Sequence, residues 1–308
     1  MIPIQYLDEW SETTAPWPYR YQVEQDLIIS RILCDLYQDD FLREKTAIHG
    51  ATAINRLLYQ KPYRYSEDID LVQVYAERIG PVMDRIDDIV PPWLGKYSYD
   101  HTKYSVHLFF KFFPETSTDE EPVRRKLKLE ISMRDHGCIR GYQMYPYSVR
   151  NGWYSGDAEI LSYTQEEMLA SKFGALFKRG KQRDLYDTAY ALEHIALDID
   201  AIISCCFELG KKAEAQTGVK FHLTRANAEE IMLGKLKKDL LGPVPATLPL
   251  GIRFDEEEAL RAFEVIWWGL VVKFPGSPWA LTEKVLDGLR KSRPGFLEKA
   301  QSVDVMEG

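Results

Sequence analysis

The chain has 308 residues, 45% hydrophobic and 28% charged, a balance that excludes a disordered polar chain and fits one large folded domain or two modest ones. Its 39 Lys and Arg against 47 Asp and Glu leave a net charge of −8, so any grip on a polyanion must come from a local basic patch. No leader-like pattern opens the chain and the longest strongly apolar run, Val265 to Val272, is too short to span a bilayer, so no signal peptide, no membrane partner and a cytoplasmic location are expected.

Val23, Leu27, Ile28, Ile32 and Leu36 recur at helical spacing and predict a helix over 21–39. Lys45 to His49 reads as a short strand, followed by the small-residue turn Gly50-Ala51-Thr52 and a helix from about 53 to 59. Next comes Arg64-Tyr65-Ser66-Glu67-Asp68-Ile69-Asp70-Leu71-Val72, read as a strand. Residues 79–89 look helical and end at Pro91-Pro92. Tyr104 to Phe113 is rich in aromatic and β-branched residues and predicts a strand. A polar loop, 114–122, leads to a second strand, 126–133. There Leu127, Leu129, Ile131 and Met133 share one face, and Lys126, Lys128, Glu130 and Ser132 the other.

From Thr164 onward the pattern is helical. Thr164-Gln165-Glu166-Glu167 has the form of a capping box, Leu169, Phe173 and Leu176 form the stripe behind it, and Gly180 is the expected stop. Leu185, Ala189, Leu192 and Ala196 mark a second helix. Further helices are predicted at about 198–215, 223–238, 255–272 and 280–292, with a Pro-rich loop at 242–251. Strands in the first half and helices in the second predict an α+β core over 1–160 and an all-α domain over 161–308.

Asp68 and Asp70 alternate to the same face of their strand, where two like charges side by side are tolerated when a divalent cation neutralises them. Glu130 is either a third acid beside them, if its strand pairs with theirs, or a solvated strand residue. Three carboxylates with phosphate oxygens and water suit Mg²⁺. At Gly50 and Thr52 small residues opening a helix let backbone N–H groups approach a triphosphate, and Thr52 adds a hydroxyl. Residues 172–183 hold Lys172, Lys178, Arg179, Lys181 and Arg183, a positive patch on an acidic chain, with Lys172 and Arg179 on one face. Asp184 either holds Lys172 or Arg183 in place or contacts the nucleotide. The bland alternative for this segment is a solvated, salt-bridged helix pair. His49 reads as structural, Trp267-Trp268 as core or partner interface, and Lys235 to Lys238 as a solvated face or an RNA contact. The cysteines, Cys34, Cys138, Cys205 and Cys206, have no metal-binding spacing and read as idle thiols of a reducing compartment.

G-A-T-A-I-N-R-L-L followed by R-Y-S-E-D-I-D-L resembles the signature of the AbiEii/AbiGii nucleotidyltransferase-like abortive-infection toxins, within the DNA polymerase β-like nucleotidyltransferase superfamily. The segment from Lys172 to Asp187, a Lys on one helix and R-D-x-x-D on the next, resembles the family's helical motif. The likeness covers roughly residues 40–195 in order. It implies a polymerase β-like core with a mixed sheet and an all-α C-terminal domain. By position it implies phosphate binding by Gly50 and Thr52, a metal motif of Ser66, Asp68 and Asp70 with Arg64 before it, and Glu130 as third acid. Lys172 and Asp184 match residues needed for activity, with Arg179 and Arg183 as basic neighbours. Ala51 stands where the family has Gly or Ser, which implies a tighter phosphate approach.

The resemblance implies a Mg²⁺- or Mn²⁺-dependent enzyme that binds an NTP between the core and the helical half. It would move an NMP to an RNA acceptor, the tRNA 3′ end, as the toxin partnered by a winged-helix antitoxin. Alternatives are transfer to a small molecule or protein hydroxyl, or a non-catalytic nucleotide-binding module.

Overall fold

The computed structural model describes residues 2–117, 123–134, 136–218, 220, 223–238, 240–242 and 247–298. The chain divides into two compact units, Met1–Lys172 with Val244–Arg253, and Phe173–Pro243 with Phe254–Gly308.

The first unit begins with helices α1 (Ile4–Thr13), α2 (Arg20–Gln38) and α3 (Asp40–Lys45). Then come β1 (Thr46–His49), α4 (Gly50–Leu57), β2 (Asp68–Gln73), α5 (Gly80–Ile89) and α6 (Pro91–Leu94). Five further strands follow: β3 (Tyr97–His101), β4 (Ser105–Phe112), β5 (Arg125–Ser132), β6 (Tyr142–Arg150) and β7 (Ser155–Tyr163). They form one mixed seven-stranded sheet in the order β3-β4-β5-β2-β1-β7-β6. Pairing is parallel between β2 and β5 and between β1 and β7, and antiparallel elsewhere.

One face of the central strands is closed and the other open. Ile69, Leu71, Leu127, Leu129, Ile131, Val106, Leu108 and Phe110 are buried, while the residues between them on β5 and at the start of β2 remain partly exposed. Helix α2 packs on β7 and β6. Its Asp26 is wholly buried and accepts from Trp10 Nε1 (2.8 Å), Trp17 Nε1 (2.9 Å) and Arg56 Nη2 (2.5 Å). A buried carboxylate is tolerable only when its lone pairs are filled this way. The cluster ties α1 and the last turn of α4 to α2.

Helix α7 (Gln165–Arg179) crosses from the first unit into the second. The second unit continues with α8 (Gln182–His194), α9 (Ile199–Thr217), α10 (Arg225–Lys238), α11 (Glu256–Gly269), a 3₁₀ turn Val271–Lys273 and α12 (Thr282–Arg290). Helix α11 packs on α8. Wholly buried Glu229 accepts from Arg225 Nε (2.7 Å), the Trp279 amide (2.9 Å) and Thr282 Oγ1 (2.6 Å), joining α10 to the start of α12. Trp267 is buried and stacks on Phe263, and Cys34, Cys205 and Cys206 are buried, as their apolar surroundings predict.

The molecule is α+β, and each predicted helix and strand is present within a few residues. Helix α1 and strands β3, β6 and β7 carry little sequence signal. Strand β6 contains Pro146 and ends the sheet order, where a missing donor costs nothing. Strand β7 opens Ser-Gly-Asp-Ala-Glu, residues of low strand propensity. At the capping box, the Glu167 amide donates to Thr164 Oγ1 at 3.4 Å, while the Glu167 carboxylate accepts the amides of Ile139 and Arg140. Of the predicted loops, 118–122 and 243–246 lie outside the described residues, as does the Lys238 side chain. Beyond the second gap, the Thr247 carbonyl accepts the Tyr65 amide at 2.7 Å.

Candidate active site

Strand register aligns the acids. Asp68 stands opposite Lys128 and Asp70 opposite Glu130 across the parallel β2–β5 pair. His49 faces Asp70 from β1, and His107 faces Glu130 from β4. His49, Asp70, Glu130 and His107 therefore form one row across four strands about 4.8 Å apart, all on the open face.

The side chains add a residue the sequence reading passed over. Lys128 Nζ lies 3.1 Å from Glu130 Oε2 and 3.5 Å from Asp68 Oδ2. His107 Nε2 stands 3.5 Å from the same Glu130 oxygen and 2.9 Å from Ser105 Oγ. Burial pushes the Asp68 carboxyl above the ordinary range, Asp70 and Glu67 push it further, and Lys128 pulls against them. Burial lowers the Lys128 ammonium, but Asp68, Glu130 and Asp70 outweigh it and leave it raised. Its clue in the sequence was its place two residues before Glu130 on the polar face. Its role became visible only once register set it opposite Asp68.

Among the described residues no three His, Cys, Asp or Glu side chains already stand as a metal cage. Lys128 separates Asp68 from Glu130. The donor set is nevertheless anionic oxygen alone, as hard divalent cations take. The Lys128 ammonium is itself a cation gripped by two of the three carboxylates. The residues fit such an ion in kind.

The Gly50 turn closes on the same acids. Strand β1 ends in extended His49, and helix α4 starts at Gly50 itself, three residues earlier than its apolar pattern predicts. Gly50 has φ +76°, and a Cβ built there would lie 2.7 Å from Asp70 Oδ2. Only glycine satisfies both conditions. The amides of the first turn of α4 lack intrahelical partners and present positive dipole beside Asp70. Thr52 is buried, donating to the Asp68 carbonyl and lying 2.7 Å from Ser66 Oγ. That bonding locks the start of β2 onto α4. Buried Arg64 donates from Nη1 to the Tyr65 carbonyl at 2.8 Å, in the segment leading into β2.

The helical motif divides at the unit boundary. Lys172, on α7, is buried and closes the first unit. In the second unit Arg179 makes a two-pronged bond to Asp184 through Nε (2.6 Å) and Nη2 (2.8 Å), Asp184 being wholly buried. Arg179 is thus a partner of Asp184 beyond the two the sequence suggested. Asp187 is wholly buried and Arg183 exposed. Gly180 (φ +61°) ends α7, and Lys235 Nζ donates to the Lys178 carbonyl at 3.3 Å, so one residue of the Lys235 cluster caps a helix at the surface.

The family model described as nucleotidyl transferase AbiEii toxin, type IV toxin–antitoxin system, matches residues 31–262. Among solved structures, MenT4, a nucleotidyltransferase toxin of Mycobacterium tuberculosis H37Rv, superposes with a TM-score of 0.57 at 12% identity, covering 94% of this chain and 99% of that one. JHP933 of Helicobacter pylori gives a TM-score of 0.48 at 18% identity, covering 89% and 98%. The likeness to MenT4 is one of fold. No curated protein sequence matches the chain. Among the described residues no helix is long and apolar enough to cross a membrane.

Proposed function

This chain belongs to the AbiEii nucleotidyl transferase toxin family of type IV toxin–antitoxin systems, and we propose that it transfers an NMP from an NTP to the 3′ end of tRNA or another RNA in a Mg²⁺- or Mn²⁺-dependent reaction. The observation that carries this reading is the register that sets Asp70 beside Glu130 and against Gly50 on one open sheet face.

Asp68 and Asp70 would hold the metal, with Glu130 completing the set. When bound, the divalent cation neutralises charge on the reacting phosphates and lowers the pKa of the attacking hydroxyl. Glu130 takes the proton from the acceptor hydroxyl. The new bond joins that oxygen to the α-phosphorus, the α–β bridging bond breaks, and pyrophosphate leaves. The first turn of α4, opened by Gly50 and Thr52, cradles phosphate oxygens, with Ser66 and Arg64 shaping that turn. Lys172 supplies positive charge to the triphosphate, and within the second unit Asp184 positions Arg179. We further propose that residues 1–160 form the catalytic domain and 161–308 a helical one. The setting is the cytoplasm, and the antitoxin partner carries a winged-helix domain.

The test incubates the protein with each α-labelled NTP, Mg²⁺ and total tRNA, then separates RNA, protein and small molecules. Label on RNA supports the reading. Label on protein or a small molecule replaces the acceptor, and no label in any fraction removes the transferase mechanism described above.

A further inference from the structure

Below the acids, the open face of β4 and β5 carries cations and rings in alternation. Lys128 pairs across strands with Phe109, and Lys126 with Lys111. Lys126 Nζ lies 3.5 Å from the centre of the Phe109 ring. At the far end the Arg124 guanidinium lies 4.9 Å from the centre of Phe113, itself 41% exposed. Lys111, Arg124 and Lys126 are all exposed. From Glu130 to Arg124 the stripe runs about 20 Å. Among the described residues of β3, β4 and β5, the acids on this face are those at its head and Asp100, which pairs with His107 from β3. The acidic run 119–121 of the β4–β5 connection lies outside the described residues.

We infer that this stripe is the track for the acceptor strand, a single-stranded RNA whose 3′ end reaches Asp70 and Glu130. The inference rests on the transferase reading above and names the surface by which the acceptor is held. A polyanion with flat bases needs cations at backbone spacing and rings on which bases stack. An acidic protein surface would use the cations but not the two rings. On a chain of net charge −8 a basic stripe that ends on the acids is a local feature, not a reflection of the overall balance.

The experiment uses the full chain and a 5′-fluorescein single-stranded RNA of about 12 nucleotides with a free 3′ hydroxyl, its binding followed by anisotropy across a salt series. Lys126→Glu and Lys111→Glu should each weaken binding about tenfold and flatten the salt dependence by about 0.7 in log–log slope or more per cation. Phe113→Ala should weaken binding about fivefold or more with the slope unchanged, the mark of lost stacking. Lys237→Glu, at an exposed position of α10, should change neither. Equal affinity and slope in the Lys126→Glu, Lys111→Glu double variant would overturn the track. So would wild-type protein that binds polyglutamate but not RNA. Label transfer to RNA is measured in parallel. Transfer that persists at subsaturating RNA in the double variant defeats the track and leaves the transferase reading intact. Stripe-dependent RNA binding without transfer by the wild type keeps the surface and defeats that reading.

Discussion

The Asp70 carboxylate closes against the α-carbon of Gly50, so that a Cβ at position 50 would meet Oδ2 at 2.7 Å. Gly50 also holds φ +76°, a conformation that strains any other residue. Gly50→Ala should therefore cost about 1–3 kcal/mol in unfolding free energy. It should also lower kcat/KM by about 100-fold or more, because Asp70 must turn away from its place. Calorimetry and label transfer on the purified variant check the two effects separately.

Lys128 bridges Asp68 and Glu130, so its removal leaves both carboxylates without that ammonium. Metal-free Lys128→Met should lose about 1 kcal/mol, a small figure because the acids are part-exposed and screened. Millimolar Mn²⁺ should then raise the melting temperature of the variant more than that of the wild type. Equal shifts in thermal scans would remove Lys128 from the cation-holding role.

Arg179 and Asp184 should respond unequally to mutation. Asp184 is wholly buried and the Arg179 side chain 43% exposed. Arg179→Ala strips a buried carboxylate of a two-pronged donor and should cost about 2–3 kcal/mol. Asp184→Asn leaves a cation that reaches water and should cost less. Urea unfolding of both variants gives the order.

Burial pushes the thiols of Cys34 and Cys206 each up to about 12. A folded value above the unfolded one means that the fold keeps its full stability below the usual thiol range near 8.5 and loses some as pH rises towards 12. At pH 8 both stay protonated and inert. Iodoacetamide under native conditions should modify half-buried Cys138 first, and all four cysteines only after denaturation. Mass spectrometry counts the adducts.

Much of this was legible in the sequence because local rules carried it. Alternation fixed the shared face of Asp68 and Asp70, and small residues marked the turn at Gly50. The pairing of β2 with β5 was not local. It joins residues about sixty apart, and without it Glu130 stays ambiguous and Lys128 invisible. Strands β6 and β7 escaped because an edge strand tolerates proline and a strand start tolerates Ser, Gly and Asp, so their signal lies in packing rather than in propensity. Arg179 was placed in the basic patch, but its hold on Asp184 depends on how the chain turns at Gly180 between α7 and α8.

If the Asp68–Asp70–Glu130 face transfers a nucleotide as proposed, the reaction depends on the charge of Asp70. The most direct measurement is the initial rate of pyrophosphate release from NTP with RNA acceptor and Mg²⁺, for wild type and Asp70→Asn, a variant that keeps shape and removes charge. The expected result is a loss of about 1,000-fold or more, with an unchanged melting curve. A rate within a few-fold of wild type, in a folded variant, would contradict it.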